Sequence, residues 1–467
     1  MSLARLWLVL AIGLPVLAAV LAPMSSVDLT YQLRSGGEII DARAVSSVDT
    51  WTFTAAGVPW VDQQWAAQIV LAAIYRIGGW TGLVLLRALL TSVVVGSTLA
   101  IARRRGLDPR LAAIVTVLAF IVASPAMALR PQLFGMACFT IGLLLIAMRH
   151  ERPRVIWLFP ALVVIWSNVH GSFVLAPVML GLVWLEDVHD EAPAARSTIA
   201  VAIISVIAAC ITPFGPSVWA YAIGLSSNPS VTARTAEWQP TSLREISGAL
   251  FFASAAAVAV LLARQGRRVA WPTLAWLGIF AAIGILAQRG VAWWPFVAVV
   301  GLSPFLATAS RPIAAGSSRV NGLVVACVVA AAIALLPLWR PIDPRTGVPI
   351  AVLTDAPPGI TDALRTLAQP GDRILNPQRW GSWLEFALPA AKVAVDSRIE
   401  MFPSKVWDAY ESVLVGQEGW RDVFAGWGVD IVVVDEADQR LRERLSQLGW
   451  TTRYEDDEGS VLTPAGS

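Results

Sequence analysis

The chain has 467 residues, of which 56% are hydrophobic and only 15% are charged, and its formal net charge is +2. Soluble domains carry about 25% charged residues, so this composition excludes a soluble globular protein and indicates one that crosses a membrane many times. The positive residues are spread over short loops, and the small net charge does not indicate nucleic-acid binding.

Apolar runs of the length of a membrane span recur along the chain up to residue 340. A helix needs roughly 20 apolar residues to cross the hydrocarbon layer. The sequence therefore predicts about eleven transmembrane helices, the first an uncleaved span rather than a signal peptide, at residues 4–22, 81–102, 111–129, 132–148, 155–169, 172–187, 197–213, 247–264, 269–288, 291–309 and 320–339.

Loops rich in arginine alternate with loops that carry single arginines or acidic residues. Cytoplasmic loops of membrane proteins are enriched in Lys and Arg, so this alternation predicts the orientation. The N-terminus is expected in the cytoplasm, and residues 23–80 and 341–467 on the outer side. The arginines of the predicted inner loops are Arg103, Arg104, Arg105, Arg110, Arg149, Arg152, Arg154, Arg264, Arg267, Arg268, Arg311 and Arg319.

This orientation makes a direct prediction. A reporter enzyme that works only outside the cytoplasm, fused after Gly466, should be active, because an odd number of spans places the C-terminus outside. Activity of a cytoplasm-dependent reporter at the same position would contradict the assignment.

Two domains are expected. Residues 1–340 form the transmembrane domain, whose outer loop 23–80 includes an amphipathic piece, Trp65 to Tyr75, expected to lie along the membrane interface. Residues 341–467 alternate short apolar strands with helical stretches, which predicts a small α/β domain with a largely parallel sheet. The strands are expected near Arg373–Asn376, Lys392–Asp396 and Asp430–Asp435, and the helices at Trp380–Leu388, Ser404–Leu414 and Gln439–Leu448.

Asp28 opens the first outer loop, six residues after the first predicted span. A single carboxylate there is often only a solvated loop residue, but a distinctive order of residues follows it. That order is Asp28-Leu-Thr-Tyr31, Gly36-Gly37, Gly57-Val-Pro59-Trp60, Trp65, Gly78-Gly79 and Arg87.

Over roughly residues 4–180, this order resembles the integral-membrane glycosyltransferases of the GT-C superfamily, including protein O-mannosyltransferases and the aminoarabinose transferases that modify lipid A. In those enzymes an Asp, usually followed by Glu, opens the first outer loop, a glycine ends a short loop helix, a Pro-aromatic turn follows, and an Arg lies in the second span. Leu29 stands where those enzymes commonly have an acid. A second carboxylate then has to come from Asp49 or Asp62.

The resemblance implies a polyprenyl-phosphate-linked sugar as donor, an acceptor that is a cell-envelope glycan, lipid or protein, and an active site at the outer face of the cytoplasmic membrane. Lysine occurs only at Lys392 and Lys405, a bias that indicates a bacterial source. Sugar transfer to a hydroxyl needs a base for the acceptor proton, for which Asp28, or Asp49, is the candidate. It also needs positive charge for the departing phosphate. Arg87, Arg130 and Arg289 are the candidates, since arginine binds phosphate bidentately.

Each candidate has a simpler interpretation. A charged residue inside a span, such as Arg87, is usually functional, but Arg130, before Pro131, and Arg289, in a short connector, can merely snorkel to the interface. Asn168 and His170 close an outer hairpin and are expected on the same face as Asp28. His170 can carry a proton or contact phosphate, whereas the alternative is a helix-capping turn.

No metal or other cofactor is expected. Three dispersed histidines do not form a zinc site, and the oxygens of Asp49 and Asp62 are not required for a lipid-phosphate donor. Two rival functions remain. A lipid or glycolipid transporter is disfavoured, because the sequence has no inverted repeat. A non-catalytic envelope scaffold is kept open by Leu29.

Overall fold

The computed structural model describes residues 1–307 and 316–466. Its α-helices are α1 (Leu3–Leu21), α2 (Ser26–Ala42), α3 (Trp65–Arg104), α4 (Pro109–Ala123), α5 (Pro131–Met148), α6 (Phe159–Val169), α7 (Leu175–His189), α8 (Ala195–Ala208), α9 (Ser217–Ser227), α10 (Pro229–Arg234), α11 (Ile246–Gln265), α12 (Trp271–Leu286), α13 (Trp294–Ala307), α14 (Arg319–Ala334), α15 (Pro358–Leu367), α16 (Gln378–Ala387), α17 (Ser404–Val415), α18 (Trp420–Trp427) and α19 (Gln439–Gln447).

The β-strands are short. They are β1 (Met24–Ser25), β2 (Ile342–Asp343), β3 (Val348–Pro349), β4 (Leu353–Thr354), β5 (Arg373–Leu375), β6 (Lys392–Val393), β7 (Ile431–Asp435), β8 (Trp450–Glu455) and β9 (Gly459–Pro464). Residues 308 and 309 of the predicted span 291–309, together with Arg311, lie outside the described residues.

The chain divides into two compact units. The first, the membrane unit, consists of Met1–Ala22, Thr81–Ser227 and Thr235–Trp339. The second, the polar unit, consists of Pro23–Trp80, Asn228–Arg234 and Arg340–Ser467. Residues 23–80, the predicted first outer loop, therefore fold in one unit with the C-terminal segment, although some 260 residues separate them in the sequence.

The membrane unit is built from apolar helices, and each predicted span coincides with one of them. By length and composition, six helices of the described residues can cross a membrane: Leu3–Leu21, Trp65–Arg104, Pro109–Ala126, Pro131–Met148, Gly171–His189 and Ile246–Arg268. Five shorter apolar helices cover the remaining spans: Pro153–Val169, Ala195–Ala208, Trp271–Leu286, Trp294–Ala307 and Arg319–Ala334. The chain is a multi-pass membrane protein, and eleven crossings stay a prediction.

Local sequence explains where these helices begin and break. The side chain of Asp108 caps α4 by accepting hydrogen bonds from the backbone N–H groups of Arg110 and Leu111, at 2.8 and 3.1 Å. Helix α5 begins directly after Arg130 because Pro131 suits its first turn. Helix α3 is broken at Gly79, where a φ of 55° and a ψ of −149° suit glycine.

The polar unit contains a five-stranded sheet with the order β6-β5-β7-β9-β8. Strand β5 pairs in parallel with both β6 and β7, so the three segments predicted as strands lie next to one another. The sequence did not predict β8 and β9, which complete the sheet as an antiparallel hairpin. The first outer loop joins the same unit, since β1 pairs with β4 and helix α2 packs against α16.

Helix α2 corrects one expectation. The resemblance implied that a glycine ends a short loop helix, but α2 continues through Gly36 and Gly37 to Ala42. Gly36 serves close packing instead, because a Cβ at this position would lie 2.0 Å from the backbone oxygen of Gln68 in the first turn of α3. The helix pair therefore needs glycine at Gly36 for its close approach.

Candidate active site

Asp28 lies in the first turn of α2 in the polar unit and is half-buried. The side chain of Ser25 caps this helix by accepting from the N–H of Val27 at 3.3 Å. The same turn is held by Ser397 of the C-terminal segment, whose hydroxyl donates to the backbone carbonyl of Val27 at 2.6 Å. Leu29, which replaces the acid common in the resembled enzymes, is fully buried. The sequence neighbour of Asp28 is thus a packing residue.

Glu400 is a carboxylate that sequence reasoning missed. It lies in the short helix Ile399–Met401 of the polar unit, three residues after the Ser397 that contacts the turn of Asp28. Burial raises the pKa of Glu400 above its usual value, and the negative charges of Asp396 and Asp28 add to this effect, whereas Arg398 opposes it. Glu400 is therefore a further candidate for the carboxylate that accompanies Asp28, since the Ser397–Val27 hydrogen bond joins the two segments that carry them. No local motif marks Glu400 in the sequence.

Asp49 is engaged in an ion pair. One carboxylate oxygen accepts from the guanidinium of Arg398 at 2.8 Å, and the other accepts from the backbone N–H and the hydroxyl of Thr52, at 3.0 and 2.7 Å. The residue is 1% exposed. These contacts consume the acceptor capacity of Asp49, which favours a structural role over that of a base.

Arg398 is the centre of this buried cluster. Its Nε and Nη2 atoms donate to Asp396 at 2.9 and 2.5 Å, and its guanidinium lies 4.2 and 4.7 Å from the ring centroids of Trp51 and Trp60. Burial alone would lower the pKa of Arg398, but the carboxylates around it, chiefly Asp396, raise it overall. Arg398 therefore stays charged and joins the first outer loop to the C-terminal segment.

Glu385 lies at the edge of the same cluster, 3.7 Å from Arg398. It is completely buried, and burial followed by the charge of Asp396 raises the pKa of Glu385 well above its usual value. A protonated Glu385 avoids a third negative charge around one guanidinium.

Asp62 is buried in a hydrogen-bonded ring with Ser35 and Gln68. The Ser35 hydroxyl lies 2.7 Å from the side-chain oxygen of Gln68 and 2.8 Å from a carboxylate oxygen of Asp62. The side-chain amide nitrogen of Gln68 donates to the other carboxylate oxygen of Asp62 at 2.6 Å. A hydroxyl has one proton to donate, so all three bonds form only when Asp62 is protonated and donates to Ser35. Burial raises the pKa of Asp62 to about 7, in agreement. Asp62 is therefore poorly suited to act as a base.

A pH-dependent stability follows. The pKa of Asp62 in the folded protein, about 7, exceeds the ordinary value of 3.8. The contribution of protonated Asp62 to the free energy of unfolding is therefore complete below pH 4 and is lost as pH rises towards 7. Asp62→Asn keeps the ring and should remove this loss, raising the unfolding free energy at pH 7 by on the order of 2–4 kcal/mol. Asp62→Ala should instead destabilise the protein by about 1–3 kcal/mol. Thermal unfolding at pH 4.5 and 7 tests both; a wild-type pH dependence in the Asn variant would show that Asp62 is ionised.

Arg87 lies in the membrane unit, in the part of α3 that follows the break at Gly79. Its side chain is 2% exposed, and its guanidinium donates to the carbonyl of Ala22 at the C-terminal end of α1. Carbonyl groups at the end of a helix stabilise a positive charge. This contact gives Arg87 a structural role alongside the predicted phosphate contact.

Arg130 and Arg289 line one small pocket of the membrane unit, with a volume of about 70 Å³. Arg130 forms an ion pair with Glu237 at 2.5 Å, and the guanidinium of Arg289 lies 4.4 Å from the ring centroid of Trp238. The other lining residues are Val122, Ala123, Pro125, Ala126, Gln132, Glu237, Ser247, Gln288, Val291 and Ala292. Two of the three predicted phosphate-binding arginines therefore come together in a pocket with apolar and amide walls.

Asn168 lies in the last turn of α6, and His170 is the residue that directly follows this helix. The Asn168 amide donates to the carbonyls of Val164 and Ile211 at 2.7 and 2.9 Å. His170 is 5% exposed, and its Nδ1 accepts from the N–H of Ser172 at 3.1 Å. These bonds are typical of a helix-capping turn, the interpretation that the sequence left open beside a role of His170 in proton transfer or phosphate contact.

Among the predicted site residues, the structure gathers Asp28, Asp49 and Asp62 in the polar unit and the remaining five in the membrane unit. Within residues 1–307 and 316–466, no group of three or more His, Cys, Asp or Glu side chains has an arrangement that could hold a metal ion.

Comparison with known proteins rests on the fold. No protein-family model matches the chain, and no curated protein matches it in sequence. Several solved structures do match. The archaeal oligosaccharyltransferase AglB from Archaeoglobus fulgidus, solved with an inhibitory peptide and a dolichol-phosphate, aligns with 97% of this chain and 73% of its own, at a TM-score of 0.61 and 11% identity.

Two further matches cover this chain completely. ArnT from Cupriavidus metallidurans bound to undecaprenyl phosphate aligns over 99% of its own length, at a TM-score of 0.55 and 14% identity. The arabinofuranosyltransferase AftD from Mycobacteria has a TM-score of 0.61 and 16% identity, and this chain spans 40% of its length. The fold is that of the GT-C glycosyltransferases. The resemblance to this superfamily is confirmed at the level of the fold.

Proposed function

We propose that this GT-C-fold chain is a membrane glycosyltransferase that moves a sugar from a polyprenyl-phosphate donor to a cell-envelope acceptor at the outer face of the cytoplasmic membrane. The observation that carries the proposal is the likeness to ArnT, which extends over 100% of this chain and 99% of the other. A scaffold that had kept only a membrane anchor would not need both the helical membrane unit and the polar unit of such an enzyme.

In the proposed reaction an acceptor hydroxyl attacks C1 of the sugar, and the bond between C1 and the phosphate oxygen breaks. The hydroxyl proton passes to Asp28, and polyprenyl phosphate leaves with the bonding electrons. Glu400 is a further candidate for the second carboxylate of the acceptor side, for which the sequence offered Asp49 and Asp62. Glycan, lipid and protein hydroxyls all fit this scheme.

The donor side belongs to the membrane unit. Arg130 and Arg289 supply positive charge at one pocket, with the amides of Gln132 and Gln288 beside them. Guanidinium groups in a low-dielectric surrounding stabilise the charge that develops on a departing phosphate. The reaction needs no redox step, so the proposal includes no cofactor beyond the donor lipid.

The test is the lipid-linked sugar profile of a strain that lacks the gene. We expect one polyprenyl-phosphate sugar to accumulate, and the corresponding sugar to disappear from an envelope component. Re-expression of the wild-type gene should restore the profile, whereas the Asp28→Asn variant, at equal protein level, should not. An unchanged profile in the deletion strain would contradict the proposed function.

A further inference from the structure

One residue of the pocket of Arg130 and Arg289 is an acid, Glu237, which belongs to a short helical turn of the chain. The helical turn Ala236–Trp238 places the Glu237 carboxylate 2.5 Å from the Arg130 guanidinium, and the side chains of these two residues are 35% and 21% exposed. The next residue, Trp238, presents its ring to Arg289. Two consecutive residues, Glu237 and Trp238, thus contact the two arginines that line the pocket.

The segment is attached firmly at one end. The backbone N–H of Gln288 donates to the Gln239 carbonyl at 2.9 Å, and the N–H of Thr241 donates to the Ile285 carbonyl at 3.0 Å. These bonds tie residues 239–241 to the C-terminal end of α12. Glu237 lies just before the tied stretch, so its side chain can leave Arg130 without those bonds breaking.

A carboxylate and a phosphate offer arginine the same kind of partner, namely anionic oxygens that accept charge-assisted hydrogen bonds. Glu237 therefore occupies the place where an anionic ligand of Arg130 would sit. We propose that Glu237 is a built-in competitor of the donor's phosphate at Arg130, and that it sets the affinity of the pocket for polyprenyl phosphate. This inference rests on the proposed function, because it takes the pocket as the donor-phosphate site.

Competition of this kind lowers the apparent affinity by the fraction of molecules in which Glu237 holds Arg130. An ion pair between partly exposed side chains is worth up to about 1 kcal/mol, which corresponds to a factor of about five. A neutral side chain at this position should therefore tighten phosphate binding. A purely structural role of Glu237 would produce no gain.

The experiment uses the purified full-length protein in detergent and undecaprenyl phosphate as the probe. We expect Glu237→Gln to bind undecaprenyl phosphate about twofold to fivefold more tightly than wild type at low salt, and the difference to shrink at high salt. Arg130→Ala should lose most of the binding. The matched control is Glu151→Gln, which breaks another partly exposed ion pair of the membrane unit, with Arg104, and should leave the affinity unchanged.

The outcomes separate the two proposals. Equal or weaker binding by Glu237→Gln, with normal binding by wild type and loss in Arg130→Ala, would overturn the competitor role and leave the donor site standing. Undiminished binding by Arg130→Ala would overturn the assignment of the pocket itself. A competition arm identifies the ligand source: if inorganic phosphate displaces the lipid at comparable concentration, the pocket is a site for free phosphate and the inference fails.

Discussion

Replacement of Asp28 by asparagine should abolish detectable sugar transfer and leave the protein folded in the membrane. A general base contributes on the order of 10²–10⁴ to the rate, and asparagine cannot accept the acceptor proton. The helix that carries Asp28 is capped by Ser25 and anchored by the Ser397–Val27 hydrogen bond, so it does not depend on the Asp28 carboxylate for its start. Transfer is measured with the donor that accumulates in the deletion strain, using purified variants of equal folded content.

Asp41→Asn is the matched control for this experiment. Asp41 lies on the same helix, and its exposed carboxylate pairs with Arg76 at 2.6 Å. An exposed ion pair contributes little to stability, so this variant should transfer sugar at nearly the wild-type rate. If Asp28→Asn retains activity and a correctly folded Asp49→Asn loses it, the base is Asp49. If all three variants remain active, the proposed mechanism fails.

The membrane helices could be predicted from the sequence because their signal is local. A run of about 20 apolar residues marks a span wherever the chain folds, and each of the eleven predicted runs coincides with an apolar helix in the described residues. The three parallel strands were also predictable from apolar stretches between helical segments. The hairpin was not predicted because β8 is polar and largely exposed, and because β9, although buried, has only two adjacent large apolar residues, Val461 and Leu462.

The site was harder to predict because its contacts are distant in sequence. Asp49 and Arg398 are 349 residues apart, and nothing in the local pattern of either identifies the other. The spacing of Asp49 and Thr52 is that of an aspartate whose carboxylate accepts hydrogen bonds from the backbone N–H and the hydroxyl three residues on. Arg398 follows Asp396 by two residues, between the apolar residues 393–395 and 401–402, and this was the available signal for a buried ion pair.

Replacement of Arg398 by alanine should destabilise the polar unit by about 3–5 kcal/mol. The substitution leaves Asp49 and Asp396 buried without their cation, and it opens a gap between the rings of Trp51 and Trp60. A buried charge without a partner is far more costly than the loss of a surface pair. Thermal unfolding of the purified variants, compared with wild type, measures the change.

Arg345→Ala serves as the matched control, because Arg345 forms a partly exposed ion pair with Asp343 in the same unit, at 3.1 Å. It should change the unfolding free energy by at most about 1 kcal/mol. Arg398→Lys should fall between the two, because an ammonium group keeps the charge but cannot reproduce the paired guanidinium bonds to Asp396 and the bond to Asp49. Should Arg398→Ala unfold at the wild-type temperature and yet fail to transfer sugar, Arg398 would act in the reaction, and the buried cluster would belong to the catalytic site rather than to the framework that holds Asp28 and Glu400.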